Sequence, residues 1–395
     1  MMKKLMSVLL AVLMLLSLTV PAFAADGTAK QLQFRADGTF RILNICDIQD
    51  TYPINLTTRA FLEETLASLK PDLVILGGDN CVAPAEVKAE AIKELCDLFV
   101  GSETYFTLVF GNHDDEQGVD KETLLGYYQQ YGGDYCLAYD ADPALFGVGT
   151  HNLPIRSADG SKVAFNLYMF DSNTYSYDAD GNRLGYDAVH TDQLDWYKAT
   201  SAALAAENGG KVVPAMAFQH IVVQEAYDAL FYRAPQSGGD LTNDFDGVSY
   251  TYLPKVAAIR DGFLFEAPCP GYFNYGQLDA MAEIGDVVAV FSGHDHTNSY
   301  TLNLKGINVT NTAGCTYHSY GNTLTRGCRV IELNEADPAA YQTYTYTMAE
   351  QALQPGSTIT DYGDLSAAQA RLALIGGKLL NALMSVLRVL FFFAK

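Results

Sequence analysis

The chain has 395 residues, about half of them apolar, and carries 46 acidic against 25 basic side chains for a formal charge of −21. So acidic a surface repels nucleic-acid phosphate, which argues against duplex binding, and it repels an anionic substrate unless bound cations reverse the sign locally. Seven cysteines, an odd number without close spacing, exclude the dense disulfide framework of small secreted domains.

Residues 1–24 read as a secretory signal peptide: Lys3 and Lys4, then apolar Leu9–Val20, then Ala22-Phe23-Ala24 as the cleavage site. This predicts export, either to the exterior or to the cell envelope. Phe40–Cys46 is strand-like and ends at Asp47-Ile48-Gln49-Asp50. Thr57–Leu69 carries Leu62, Leu66 and Leu69 at helical spacing, and Pro71 stops it. Leu73–Leu76 is a wholly apolar strand ending at Gly77-Gly78-Asp79-Asn80. Ala85–Val100 is a second helix, with Ile92, Leu95 and Phe99 on one face. Tyr105–Phe110 is a third strand, ending at Gly111-Asn112-His113-Asp114. Strand and helix alternate, so these are parallel βαβ units, and their polar ends share one sheet edge.

Gly126–Ser161 is less regular, and Val163–Phe170 is a strand. Asp178–Asn182 has a calcium-loop flavour, but its glycine is misplaced and the terminal glutamate is missing, so it reads as a surface turn. Thr191–Asn208 is a helix with Thr191 as N-cap. Val212–Phe218 leads to His220, and Phe231–Gly271 reads as a long loop beside the site. Tyr275–Glu283 is a helix, and Val287–Phe291 is the strand before Gly293-His294-Asp295-His296. Tyr300–Leu304, Ile307–Thr312, Cys328–Leu333 and Tyr341–Thr347 read as antiparallel strands of a second sheet packed on the first. Cys315 and Cys328 fall on neighbouring strands, as a disulfide or as two buried thiols. In the segment 365–395, Lys378, Asn381, Ser385 and Arg388 form one polar stripe on an otherwise apolar helix. Its longest uncharged run, Leu379–Leu387, falls short of the roughly 20 residues of a membrane span. A helix lying on a membrane surface fits that pattern; the other reading is a helix docked on protein.

The strand ends collect one kind of chemistry. His294 and His296, two residues apart in an extended segment, share a side. Two cations about 3.5–4 Å apart can share a carboxylate, clamp a phosphoryl group and generate hydroxide at neutral pH. Asp79 is the natural bridge. Asp47 and His296 would complete one ion's set; Asn112 through its amide oxygen, His220 and His294 would complete the other's. His113 sits beside a ligand, placed to protonate the leaving oxygen or to stabilise charge on the phosphoryl group. Asp114 either orients His113 or caps a helix. His151, His190 and His318 are left for loop or surface roles, with His318, beside Tyr317 and Tyr320, the substrate contact among them.

In this order the blocks resemble the calcineurin-like metallophosphoesterases, in the subgroup related to purple acid phosphatases that carries Gly-His-Asp-His. The family's Asp-x-His, Gly-Asp-x, Gly-Asn-His-Asp/Glu, distant His and Gly-His-x-His appear as Asp47-Ile48-Gln49, Gly78-Asp79-Asn80, Gly111-Asn112-His113-Asp114, His220 and Gly293-His294-Asp295-His296. Gly185-Tyr186-Asp187, Gln193 and Trp196 are similar to that subgroup's helix region, and Tyr320-Gly321 with Arg326–Val330 to its closing strands. The resemblance implies a metallophosphoesterase domain over residues 36–350. It implies an α/β fold, a four-layer α/β/β/α sandwich of two mixed sheets flanked by helices. It implies two metal ions, Mn, Fe or Zn, and hydrolysis of a phosphate monoester or diester by in-line attack of hydroxide with His113 assisting. Two positions depart from the family. Gln49 stands where the family has a histidine ligand; its oxygen suits a hard cation better than zinc or iron, and Asp50 or water could fill the place. Val82 stands where true purple acid phosphatases have an iron-binding tyrosine, so no purple colour is expected. The rival reading is a worn site that holds phosphate or metal without turnover, and Gln49 is its main support.

Overall fold

A computed structural model of the chain describes residues 31–233, 242–245, 248–360 and 365–393. The signal-peptide reading falls outside the described residues. The first half runs β1 (Leu32–Gln33), β2 (Thr39–Ile45), α1 (Leu56–Leu69), β3 (Leu73–Gly77), α2 (Lys88–Gly101), β4 (Phe106–Val109), α3 (Lys121–Gly132), β5 (His151–Arg156), β6 (Val163–Met169), β7 (Tyr175–Tyr177), β8 (Arg183–Tyr186) and α4 (Thr191–Glu207). Then follow β9 (Ala215–Phe218), α5 (Glu225–Leu230), β10 (Phe231–Arg233), β11 (Thr242–Phe245), β12 (Val248–Pro254), α6 (Gln277–Ile284), β13 (Val287–Ser292), β14 (Thr301–Leu304), β15 (Ile307–Asn311), β16 (Gly327–Asn334), β17 (Gln342–Thr347), α7 (Met348–Ala352) and α8 (Ala367–Phe393).

Two mixed sheets carry the fold. One has five strands in the order β17-β16-β2-β3-β4; the other has seven in the order β1-β5-β6-β9-β13-β15-β14. The strand period of two builds the layers. In β2 and β3, Leu43, Ile45, Val74 and Leu76 face a core with Leu62, Ile92, Leu95 and Phe99 of the helices. Their neighbours Ile42, Leu73 and Ile75 face Phe165, Leu167, Met216, Phe218 and Phe291 of the other sheet. That second set fills the space between the sheets. On the far side, Ala215, Ala217 and Val290 pack under Leu194, Tyr197 and Met281 of α4 and α6. Helices, sheet, sheet, helices is the four-layer order expected from the resemblance.

Local signals explain the boundaries. The Asn55 side chain caps α1 by accepting from the N–H groups of Thr57 and Thr58, and Lys70 ends it in the left-handed conformation before Pro71. α4 begins at Thr191 as expected, but its cap is His190, whose N–H donates to Gln193 Oε1 at 2.7 Å.

Several segments differ from the sequence reading. The stretch read as irregular from Gly126 on opens in the second half of α3, whose run of tyrosines, glutamines and glycines gives a weak apolar stripe, although Leu124, Leu125 and Tyr128 of the helix are buried. Phe231–Gly271 is more than a loop: β10, β12 and β11 form a small antiparallel sheet. The four late strands do not make a sheet of their own. β14 and β15 extend the seven-stranded sheet beside β13, whereas β16 and β17 extend the five-stranded sheet beside β2. Strand pattern reveals antiparallel neighbours but not which sheet receives them. Asp178–Asn182 is a surface turn joining β7 to β8, with Asp178 Oδ1 accepting from the N–H groups of Asp180 and Asn182. All seven cysteines are free thiols, Cys315 and Cys328 among them. His151 is a fully buried strand residue: Nδ1 lies 2.7 Å from the Gly149 carbonyl, and Nε2 lies 2.7 Å from Thr107 Oγ1.

Candidate metal centre

β2, β3 and β4 are adjacent and parallel, so the chain leaves all three at one sheet edge. Asp47, Asp79, Asn112 and His113 sit in the turns just beyond. β6, β9 and β13 are likewise parallel, and their edge delivers His220 and Gly293–His296. Ligand sites of open α/β sheets form at such carboxyl ends. The two edges are stitched together: the His294 N–H donates to Asp47 Oδ2 at 3.0 Å, and His220 Nδ1 lies 3.0 Å from the Gly77 carbonyl. Asp47, Gln49, Asp79 and His294 all hold positive φ, at 51°, 40°, 51° and 73°. Such conformations cost on the order of 1–3 kcal/mol each and persist where surrounding structure enforces them, often at functional sites. Two glycines permit the crowding. A Cβ on Gly111 would fall 2.1 Å from Asp79 Oδ1, and one on Gly78 would fall 2.5 Å from the His220 ring.

The donor atoms converge without bonding one another. Asp79, His220 and His294 each offer an atom within 4.8 Å of the other two, and all three residues are buried. His220 Nε2 lies 3.2 Å from Asp79 Oδ2 and 3.9 Å from Asp47 Oδ1; His296 Nε2 lies 3.5 Å from Asp47 Oδ1. Asp47 Oδ1, Asn112 Oδ1, His220 Nε2 and His294 Nε2 are buried with no hydrogen-bond partner. Buried polar atoms are almost always paired, so four orphans at these two sheet edges need an account. The outer ring atoms supply it. His220 Nδ1 faces the Gly77 carbonyl and His296 Nδ1 faces the Tyr320 carbonyl at 3.1 Å, which places a proton on each Nδ1. Each Nε2 then faces a carboxylate oxygen, a contact that needs a proton or a cation between the two atoms, and a backbone carbonyl on the far nitrogen is the usual support of a metal-bound histidine. The set therefore fits metal ions.

Gln49 takes another posture. Its Nε2 donates to Asp79 Oδ2 at 2.9 Å. A carboxylate only accepts, so the amide must present its nitrogen there.

His113 is the half-exposed member. Its N–H donates to Asp79 Oδ1 at 2.8 Å, and its Nε2 stands 4.0 Å from Asp79 Oδ2. The other nitrogen, Nδ1, lies 2.5 Å from Glu116 Oε2, and the second Glu116 oxygen accepts from Tyr175 Oη at 2.6 Å. Tyr175 also receives Asn112 Nδ2 at 3.4 Å, leaving the Asn112 oxygen buried and without a hydrogen bond. One network thus fixes both the ring of His113 and the amide of Asn112. Of the two roles weighed for Asp114, orienting His113 falls to Glu116 instead. Asp114 fastens loops: its carboxylate accepts from the N–H groups of Asn80, Cys81 and Gly111 at 2.9, 3.2 and 2.8 Å. Buried Lys88 seals the same turn by donating to the carbonyls of Cys81 and Asp114.

The calcineurin-like phosphoesterase profile matches residues 40–298, the span that contains every residue of this constellation. The chain belongs to that family. Among curated proteins it is 31% identical over 360 residues to "Probable inactive purple acid phosphatase 14" of Arabidopsis thaliana, spanning 83% of this chain and 82% of that one. It is 28% identical to "Probable inactive purple acid phosphatase 29" of the same plant, over 75% and 77% of the two chains. A solved dimetal phosphatase from Danio rerio superposes with a TM-score of 0.45 at 12% identity, covering 78% of this chain and 99% of its own.

Electrostatics in the site favour bound positive charge. Burial pushes the Asp47 carboxyl well up, and the neighbouring charge of Asp79 adds to it against the pull of His220. Burial acts on Asp79 too, but the His220 and His113 rings outweigh it and hold that carboxyl well below its ordinary range. The two carboxylates in turn overcome the burial of His220 and lift it to about 10. Burial keeps His294 and His296 low, so both rings stay neutral, as metal ligands must be. Asp114 rises to about 6 through burial and then through Asp79.

Aromatic side chains rim the site. Tyr186 sets its edge on His294 with ring centres 4.2 Å apart, and Tyr320 stacks flat on His296 at 4.2 Å. Arg183 lies 3.5 Å over the Tyr175 ring. Glu116, Tyr175 and Arg183 went unnoticed in the sequence: they lie in a loop and a hairpin with no apolar periodicity. His318 is exposed on the loop leading to Tyr320.

Proposed function

We propose that this chain is an exported, metal-dependent phosphoesterase. The observation that carries the reading is the pairing of orphaned buried donors with a free-standing His113 Nε2 4.0 Å from Asp79. Asp47, Asp79 and His296 would hold one ion, and Asp79, Asn112, His220 and His294 a second, drawn from Mn, Fe or Zn. When bound, such a pair activates water and offsets the charge of the phosphoryl oxygens. The chain's own part is to bind and orient the ester and to move one proton. Water adds to phosphorus as the ester P–O bond breaks. His113 keeps Nδ1 on Glu116 and gives a proton from Nε2 to the leaving oxygen, while the attacking water releases one of its own to solvent. The aromatic rim and Arg183 would face the rest of the ester.

One observation favours a second reading, a site that binds without turnover. Gln49 occupies the position of a histidine ligand, and its amide nitrogen is committed to Asp79. The relatives named as probably inactive give that reading weight. The deciding experiment measures hydrolysis of an aryl phosphate monoester and the matching diester after chelation, then with each metal restored. Metal-restored turnover that Asp79→Asn reduces by about 10³-fold or more supports the enzyme, since a shared ligand is lost. Folded protein that binds metal yet turns over neither ester would decide for the binding reading. Export is checked separately, by fractionating cells that make the full chain; protein confined to the cytoplasm with residue 1 intact would refute it.

A further inference from the structure

Helix α8 leaves its aliphatic stripe outside. A helix on a soluble domain turns its apolar stripe inward. Here Leu374 is buried on the docked side, but it sits there among polar contacts. Asn381 Nδ2 donates to Asp261 Oδ1 at 2.7 Å, and Lys378 pairs with Glu350. Small Ala370 and Gly377 sit against the body, and a Cβ on Gly377 would lie 3.3 Å from Leu324. The opposite side presents Leu372, Ile375, Leu379, Leu380 and Leu383, from 51% to 70% exposed. Leu372, Ile375, Leu379 and Leu383 recur at spacings of three and four, which makes one continuous stripe. In the sequence the spacing continues through Val386 and Leu390.

We infer that this stripe is the surface by which the protein lies on an anionic lipid–water interface. Composition identifies the occupant. The chain as a whole is strongly acidic, yet from residue 367 on it has Arg371, Lys378, Arg388 and Lys395 and no acidic side chain. Arg371 is exposed beside the aliphatic stripe, and Lys378, though paired with Glu350, stays 72% exposed at its margin; cations so placed match a surface of acyl chains under anionic headgroups. A second copy of the helix would bring the same cations against its own. Screening over about 8 Å at physiological salt makes the helix's local charge count above the acidity of the body. Among the described residues no helix is long and apolar enough to cross a membrane, so the helix lies on the bilayer rather than through it. This inference is independent of phosphoesterase activity.

The test uses the chain from Ala25 on, which keeps the whole compact unit Leu32–Lys395 and removes the apolar leader. Vesicles of phosphatidylcholine, alone or mixed with phosphatidylglycerol, are sedimented with it. Binding should require phosphatidylglycerol and weaken with salt. A triple variant, Leu372→Gln with Ile375→Gln and Leu379→Gln, should lose binding by tenfold or more, because each aliphatic side chain removed from the interface weakens partitioning by roughly that order. The three positions point outward, so circular dichroism should match the wild type. Equal binding to both vesicle types, binding that survives the triple variant, or no binding by folded wild type would each overturn the inference. So would a concentration-dependent dimer without vesicles that the triple variant abolishes, since that outcome assigns the stripe to a second copy.

Discussion

Glu116 touches no proposed metal ligand with its side chain, yet its loss should be felt in turnover. Its carboxylate holds Nδ1 of His113 at 2.5 Å while Tyr175 holds its other oxygen. In Glu116→Gln the amide can still offer an oxygen to His113 and a nitrogen to Tyr175, so geometry survives and charge is lost. A charge-assisted hydrogen bond contributes about 1.5–3 kcal/mol against about 0.5–1.5 for a neutral one. The side chain is 35% exposed, so water competes and the lower part of that difference applies. A loss of about 1 kcal/mol corresponds to a kcat roughly fivefold lower, with KM nearly unchanged. Glu116→Ala removes the hold altogether and should lower kcat by about 10–100-fold, short of the 10²–10⁴ expected for His113→Ala. The sharper assay is a double-mutant cycle on an aryl phosphate. If Glu116 acts through His113, then Glu116→Gln changes little in a His113→Ala background. Additive losses, or wild-type turnover in Glu116→Gln, would refute the positioning role. The ring itself offers a readout free of activity: nitrogen NMR of His113 should show a changed Nδ1 environment in Glu116→Gln.

Gln49→His replaces an amide donor on Asp79 with a ring lone pair, so zinc affinity measured by competition with a chelator should rise about tenfold or more; unchanged affinity would show that position 49 does not reach the metal. Gly111→Ala puts a methyl 2.1 Å from Asp79 Oδ1, so urea unfolding should show about 1–3 kcal/mol of destabilisation together with weakened metal binding; wild-type values in both would contradict the crowding. Burial lowers His151 from 6.5 to about 4. The unfolded chain then binds the extra proton between those values, so the stability due to this ring is complete above 6.5 and declines as pH falls toward 4. Between pH 7 and 5 that amounts to about 2 kcal/mol, and His151→Gln should remove a fall of that size from the wild-type difference in urea unfolding; equal falls in both proteins would refute the assignment.

Much of the fold was legible because its signals are local. β2, β3 and β4 with α1 and α2 alternate in the order that forces a parallel sheet, and each apolar run ended in a polar cluster. What was hidden is what local pattern does not encode. α3 carries its buried face on tyrosine and leucine among glycines. β14 and β15 look like β16 and β17, but only tertiary pairing divides them between the sheets.

The same division runs through the site. Asp47, Asp79, Asn112, His220, His294 and His296 were legible because a strand end is a fixed place, and parallel strands put such places side by side. Their supports were not, because they are ordinary residues made special by distance in sequence. Tyr175 meets Glu116 across 59 positions. Asp114 shows the converse. Adjacency to His113 left orienting the ring as one of two roles, and the turn after β4 buries its carboxylate beneath the backbone of residues 80, 81 and 111. The ring is met instead by Glu116, three residues on, so within that turn the nearest carboxylate in sequence is not the one the backbone brings to the imidazole.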